Sequence, residues 1–328
     1  MAKKCKLANS TKDNWFLYKI RDRSYDPKYK LEVETTKGIE SLFLVDQQTA
    51  WSEGVSSNGL MIVSAALDNH SDLDDNGHRT GDRPATAGQI EKTEALRAAI
   101  SAKTIEQAEK ILTEDRFIGT SFISDGDNLI ILEIYVNDKA YNREIAKHSK
   151  EELEKLSVVE QVYKIMEGIT KDDYDIASHL VKEDRIAVRT NHGKLLPKAG
   201  YQKTDDDKTG YTSSMLRRKY ALENVEKLGD CHPFEVLTTL KNLKDCDLNP
   251  QNCPIRVKSA ITKEKPYYSS TIVMLTPTGT LFAVPLDSEV DHKSRLTLKP
   301  GRKVDFVLLP KDLPLFESFK SIVYKEMF

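Results

Sequence analysis

The sequence predicts a single α+β domain whose sheets are completed by both ends of the chain. Short segments rich in β-branched and aromatic residues fill the region up to residue 136, helical patterns occupy the middle, and strand patterns return near the end. The run Leu129-Ile130-Ile131-Leu132-Glu133-Ile134 is apolar on both strand faces, which fits a sheet covered on both sides.

The elements follow in order. Residues 15–20, 42–46, 60–67, 119–124 and 129–136 read as strands, each closed by Gly, Asn or Asp. A polar loop over 68–88 leads into a helical stretch over 89–113, in which Thr104 and Gln107 have capping-box spacing. Ser149 and Glu152 repeat that spacing before a second helical stretch over 151–169. A short helix is expected at 174–181 and a strand at 186–190. After a loop rich in Lys, Asp and Gly over 191–210, a helix is expected at 213–228, and another begins at Pro233. Strands over 271–276 and 280–285 flank Pro277-Thr278-Gly279, a hairpin signal, and 304–309 adds another.

Composition narrows the function classes. The chain has 328 residues, 39% hydrophobic and 30% charged, as globular proteins do. Lys plus Arg number 49 against 51 acids, a net charge of -2, so no overall field favours nucleic acid or an acidic membrane. No stretch approaches the roughly 18 to 20 apolar residues of a membrane span. The first residues lack the apolar core of a secretory signal, so a cytoplasmic setting is expected. Four cysteines in a chain this long do not make a disulfide scaffold, and each is judged by its surroundings.

The first cysteine is the most informative. Cys5 precedes the strand over 15–20 and is followed, 16 positions later, by Arg21 and Asp22, and a hairpin returning after that interval could bring both beside the thiol. A thiol needs a base and a positive field to become a thiolate, and an arginine supplies the field permanently. At a chain terminus the base can be the residue's own α-amine, with an unperturbed pKa of about 7.7 to 8. Further on, Arg189-Thr190-Asn191-His192-Gly193 ends a strand, where an Asn amide can donate to a developing oxyanion, an interaction of about 3 to 4 kcal/mol. Thr212-Ser213-Ser214-Met215-Leu216-Arg217-Arg218 opens a helix. The bland readings are a cysteine in a frayed tail, an Asn that starts a turn, and a serine cap with one solvent-facing arginine.

In this order, with a Gly-Leu strand over 54–67 between them, these pieces resemble the choloylglycine hydrolase and penicillin acyltransferase group of N-terminal-nucleophile (Ntn) hydrolases. The resemblance extends to 119–133 and 268–285. It implies a four-layer αββα sandwich with two antiparallel sheets, and a cysteine-dependent hydrolase or acyltransferase acting on linear carbon-nitrogen amide bonds through a thioester. Carried over, Cys5 matches the nucleophile, Arg21 the active-site arginine, Asn191 the oxyanion asparagine and Arg217 the arginine of the Ser-Ser-x-x-Arg helix. Asp22 matches the orienting acid of secernin-like relatives, whereas the bile-salt pattern points towards Ser24 and Asp26. Residues 1–4 would be a propeptide and 5–328 the domain. The second oxyanion asparagine of bile-salt-type relatives has no counterpart in Ser64-Ala65-Ala66-Leu67, where backbone NH groups would serve, and Asn69 would need a shifted register.

The partner implied is a small-molecule N-acyl amide, with no cofactor and no metal; self-association is left open. Two rivals stand beside this reading: an inactive Ntn-fold binding protein, and a secernin-like cysteine dipeptidase. Cys231-His232, Cys246 and Cys253 have poor zinc spacing. The acidic runs at 72–75 and 205–207 read as solvated loops that could rim the pocket. No nucleotide loop, zinc-protease helix or serine-hydrolase elbow occurs.

Overall fold

The structure, a computed structural model, describes residues 1–6, 12–65, 67, 87–156, 158–200, 211–244, 249–260, 267–290, 303–309 and 311. Two sheets, mostly antiparallel, carry the fold. The first has the order β10 (Ile186–Ala187), β1 (Ala2–Lys6), β2 (Asp13–Arg23), β11 (Tyr268–Leu275), β12 (Thr280–Pro285) and β14 (Asp305–Leu308). The second runs β13 (Glu289–Val290), β3 (Lys28–Thr36), β4 (Ile39–Asp46), β5 (Ser52–Ser56), β6 (Met61–Ala65), β7 (Gly119–Ser124), β8 (Leu129–Val136) and β9 (Tyr174–Leu180). Only the pairs β12 with β14 and β13 with β3 are parallel among the described residues.

Strand alternation decides what each face meets. Trp15 and Leu17 of β2 and Val273 of β11 join Leu42, Val55, Met61 and Phe122 of the second sheet in one core, so the sheets pack face to face. The intervening residues Phe16 and Tyr18 point the other way, onto Ala221 and Val225 of α6 (Tyr211–Glu226) and Phe234 and Leu237 of α7 (Pro233–Asn242). On the far side of the second sheet, Phe43, Ile62 and Ile123 meet Leu96 and Ile100 of α1 (Ala87–Ile100) and Ala108 and Leu112 of α2 (Ile105–Glu114). Each such buried apolar side chain contributes about 1.5 to 3 kcal/mol, which is why β8 is apolar on both faces apart from Glu133. Three smaller helices, α3 (Asp138–Ile145), α4 (Lys150–Glu154) and α5 (Val158–Met166), follow β8.

Several expectations are met residue by residue. β7 and β8 have the expected bounds, Ser149 and Glu152 form a reciprocal capping box, and Pro233 opens α7. Gly279, with a φ of +84°, turns the hairpin between β11 and β12, a conformation that a side chain would strain. Three expectations are corrected. The stretch 89–113 is two helices, because Thr104 caps a new one by accepting from the Gln107 main-chain nitrogen. Residues 174–181 are not a helix: Tyr174–Leu180 is β9, paired with β8 along its whole length. The stretch 151–169 is likewise two helices, α4 and α5. Residues 2–4 lie in β1, between β2 and β10, with Ala2 and Lys3 buried. Asn69, Cys246 and the acidic runs at 72–75 and 205–207 lie outside the described residues. Among those described, no helix is long and apolar enough to cross a membrane.

Candidate functional site

A cavity of about 270 Å³ opens where β1 begins. β1 accompanies β2 only as far as Tyr18: the Met1 carbonyl accepts from the Tyr18 nitrogen, and the Met1 nitrogen donates to the Tyr18 carbonyl, both at 2.8 Å. β2 continues to Arg23 along β11, and its last five residues, 19–23, line the cavity with Met1, Asn191 and Arg217. Trp51 and Glu53 beside β4, and Val63 to Ala65 on β6, close the side formed by the second sheet.

Alternation along β2 gives these residues different duties. Arg21, in phase with Trp15 and Leu17, faces the second sheet and is 1% exposed. Its Nε and Nη2 donate to Glu53, its Nη2 also reaches Trp51 O at 3.3 Å, and its Nη1 stands 3.9 Å from Asp46. Burial opposes the Arg21 charge, but Glu53, Tyr29 and Asp46 outweigh it and raise its pKa. Lys19, on the same face, is pushed down to about 8 by burial, which the nearby Glu53 offsets only in part.

Asp22 points to the helix side. Arg256 donates to it, Ser269 Oγ donates at 2.7 Å, and Arg217 Nη1 lies 3.7 Å away. Burial would raise its pKa, yet Arg256 and then Arg217 hold it below the usual carboxylate value. A bulge between Ser269 and Thr271 interrupts the β2–β11 register here, and the extra residue Ser270 hydrogen-bonds the Arg21 carbonyl.

Asn191 is held from α6. Arg217 Nη2 donates to its side-chain oxygen at 3.0 Å, which fixes the orientation of the amide, and its main-chain nitrogen donates to Ser214 Oγ at 3.0 Å. Ser214 also bonds His192 Nδ1 at 2.9 Å and Thr190 Oγ1 at 2.9 Å. His192 therefore serves the turn rather than the cavity, and burial followed by Arg218, Arg217 and Arg189 lowers its pKa to about 4. The loop after it is tied down by Glu133, wholly buried on β8, which accepts from the main-chain nitrogens of Lys194, Leu195 and Leu196 at 3.0, 2.8 and 2.9 Å.

Four of the five expected site residues, Arg21, Asp22, Asn191 and Arg217, thus line one cavity. Cys5 does not join them. In the β1–β2 register it stands opposite Asn14, and from Asn14 to Arg21 the strand rises roughly 23 Å. It also faces the other way, into the core that β2 shares with α6 and α7. There its Sγ lies 3.6 Å from Cys231 Sγ and 3.9 Å from the Tyr18 hydroxyl, and it is 1% exposed. Burial, then Cys231, pushes the Cys5 thiol pKa up, the opposite of what an attacking thiolate requires. The expectation that Cys5 meets Arg21 is therefore corrected: the hairpin returns at Asn14 rather than at Arg21, and strand face separates the two as well. Asp26, the alternative acid, is bonded by Lys258 and Tyr268 away from the cavity, so of these two aspartates Asp22 is the one that lines it.

Sequence reasoning missed Glu53, Glu133, Arg256 and Lys19. Glu133 carried a signal, a charge within an apolar strand, which must be paired to be buried. The cavity wall is basic: Lys19, Arg21, Arg23, Arg189, Arg217 and Arg256 line it against Asp22 and Glu53. Asp46 and Glu133 stand behind Arg23 and Arg189, so positive charge remains in excess. Among the described residues no group of His, Cys, Asp and Glu side chains could hold a metal ion. No protein-family model matches the chain, and no curated protein matches it.

Proposed function

We propose that this cavity binds a small linear amide carrying an anionic group, in a protein resembling the Ntn hydrolases of the choloylglycine hydrolase and penicillin acyltransferase group, and that Cys5 takes no part. The observation that carries the reading is the convergence of Asp22, Asn191, Arg217 and Arg256 on a cavity whose wall has more basic than acidic side chains. The guanidinium groups receive the anionic end, as arginine does for carboxylates. Asn191, oriented by Arg217, is set beside the amide. Two sheets face to face with helices on both outer sides support the four-layer αββα sandwich that goes with this family.

A thermal-unfolding screen against N-acyl amino acids and short peptides tests the reading, because a ligand that binds only the folded state raises the midpoint. Anionic amides are expected to raise it and their uncharged esters to do so far less. Equal shifts for both, or none for any compound, would remove the proposal.

A second reading is catalytic and is favoured by one observation. Met1, just ahead of β1, and not Cys5 stands at the cavity, its nitrogen on Tyr18 and its residue among those lining the wall with Asn191 and Arg217. A nucleophile at the first position would meet the machinery that Cys5 misses. Replacing Met1 by Cys behind an added, removable initiator methionine is expected to give turnover of anionic amides that the unmodified chain lacks. Turnover by the unmodified chain that is lost in Cys5→Ala would restore the original thioester mechanism.

A further inference from the structure

Cys5 and Cys231 are 226 positions apart in sequence, yet their sulfurs are 3.6 Å apart in the core between the first sheet and α7. Cys5 belongs to β1, and Cys231 precedes His232, the residue that caps α7. Main-chain bonding holds the two segments together, since the Lys6 nitrogen donates to the Cys231 carbonyl at 3.3 Å. The Tyr18 hydroxyl donates its only proton to the Pro233 carbonyl at 3.0 Å. It can therefore only accept at its oxygen, and the single Cys5 S–H can serve either that oxygen or the Cys231 sulfur, not both at once.

That arrangement makes the two thiols unequal. The hydrogen bond from Cys5 lowers the Cys231 pKa, against the effect of its burial, while burial raises that of Cys5. Cys231 also stands just ahead of the α7 N-terminus, where a negative charge is stabilised. One sulfur is thus the better thiolate, and the other lies within about 1.6 Å of disulfide bonding distance.

We propose that Cys5 and Cys231 are a redox pair, which a peroxide joins in a disulfide that ties β1 to the start of α7 and which a thiol reductant reopens. The Cys231 thiolate attacks one peroxide oxygen, the O–O bond breaks, and the leaving hydroxide takes a proton to become water. Cys231 is then a sulfenic acid. The Cys5 sulfur attacks that sulfur, the S–O bond breaks, and the departing hydroxide leaves as a second water with the Cys5 proton. Two thiols and one peroxide become one disulfide and two waters. The bond would anchor the strand that follows Met1, a residue lining the cavity, and it closes a long loop, so it is expected to stabilise the fold.

The test uses the purified full chain, treated with stoichiometric hydrogen peroxide, alkylated, digested without reductant and examined by mass spectrometry. The expected product is a cross-linked peptide pair holding residues 5 and 231, two hydrogens lighter than its parts and separated by dithiothreitol. The oxidised chain is expected to unfold about 2 °C or more above the reduced one. In Cys5→Ser, a sulfenic-acid probe should label Cys231; in Cys231→Ser, Cys5 should stay an unmodified thiol. The unmodified protein alone decides the matter, so a variant that fails to fold does not weaken the test. Two free thiols after treatment, a sulfinic acid without a cross-link, or a bridge to Cys246 or Cys253 would each overturn the proposal.

Discussion

The two ends of β2 differ in almost every physical respect, although one continuous strand joins them. Near its start it pairs with β1 beside Cys5, in a core where apolar side chains and thiols meet α6 and α7. Past Tyr18 it loses β1 as a neighbour and carries Lys19, Arg21, Asp22 and Arg23 along a cavity. A cysteine and an arginine that sequence spacing brings together can still be separated by register and by the alternation of strand faces.

The largest effect should come from the charged end. Arg21→Met leaves Glu53 buried without its partner and is expected to cost about 3 to 5 kcal/mol in urea unfolding. A loss below about 1 kcal/mol would mean that this ion pair does not hold the sheets together there.

Next comes acid. His192 in the folded chain has its pKa lowered to about 4, whereas the unfolded residue binds its proton near 6.5. Between those values the unfolded state holds more protons, so stability is full above about 6.5 and declines as pH falls towards 4. His192→Gln should flatten that part of a stability-pH profile; an unchanged slope would assign the acid sensitivity elsewhere. Asp22 behaves in the ordinary carboxylate sense, its lowered pKa adding stability that is lost only at lower pH.

At the apolar end the effects are smaller. Cys5→Ala removes a buried sulfur and is expected to cost about 1 kcal/mol in the same unfolding assay, as for a small core hydrophobe. Asp26→Asn should change stability by less than about 0.5 kcal/mol, since Asp26 and Lys258 are largely exposed. A larger loss at Asp26 than at Asp22→Asn would reverse the choice between the two acids.

The strand 129–136 was legible because burial on both faces writes an apolar run broken only by Glu133, and the caps at Ser149 and Pro233 because capping is local chemistry. β1 was not, since Ala-Lys-Lys-Cys-Lys has the composition of a surface tail and becomes a strand only through pairing on both edges. β9 read as a helix because Tyr-Asp-Ile-Ala-Ser-His-Leu has no clear alternation; it is an edge strand with Ile176 and Leu180 exposed, and pairing with β8 decides its state. Within the site, Arg21, Asp22, Asn191 and Arg217 could be named from motif order. Their distance from Cys5 could not, because register depends on partners far along the chain. Arg256 joins Asp22 across 234 positions, a contact that no local pattern announces.

The most direct test compares ligand affinity at the two ends. Isothermal titration of an anionic amide that raises the unfolding midpoint should give the same affinity for Cys5→Ala as for the unmodified chain, and at least a tenfold loss, about 1.4 kcal/mol, for Arg217→Ala. Binding that survives Arg217→Ala but is lost in a folded Cys5→Ala would put the ligand at the thiol and contradict the account.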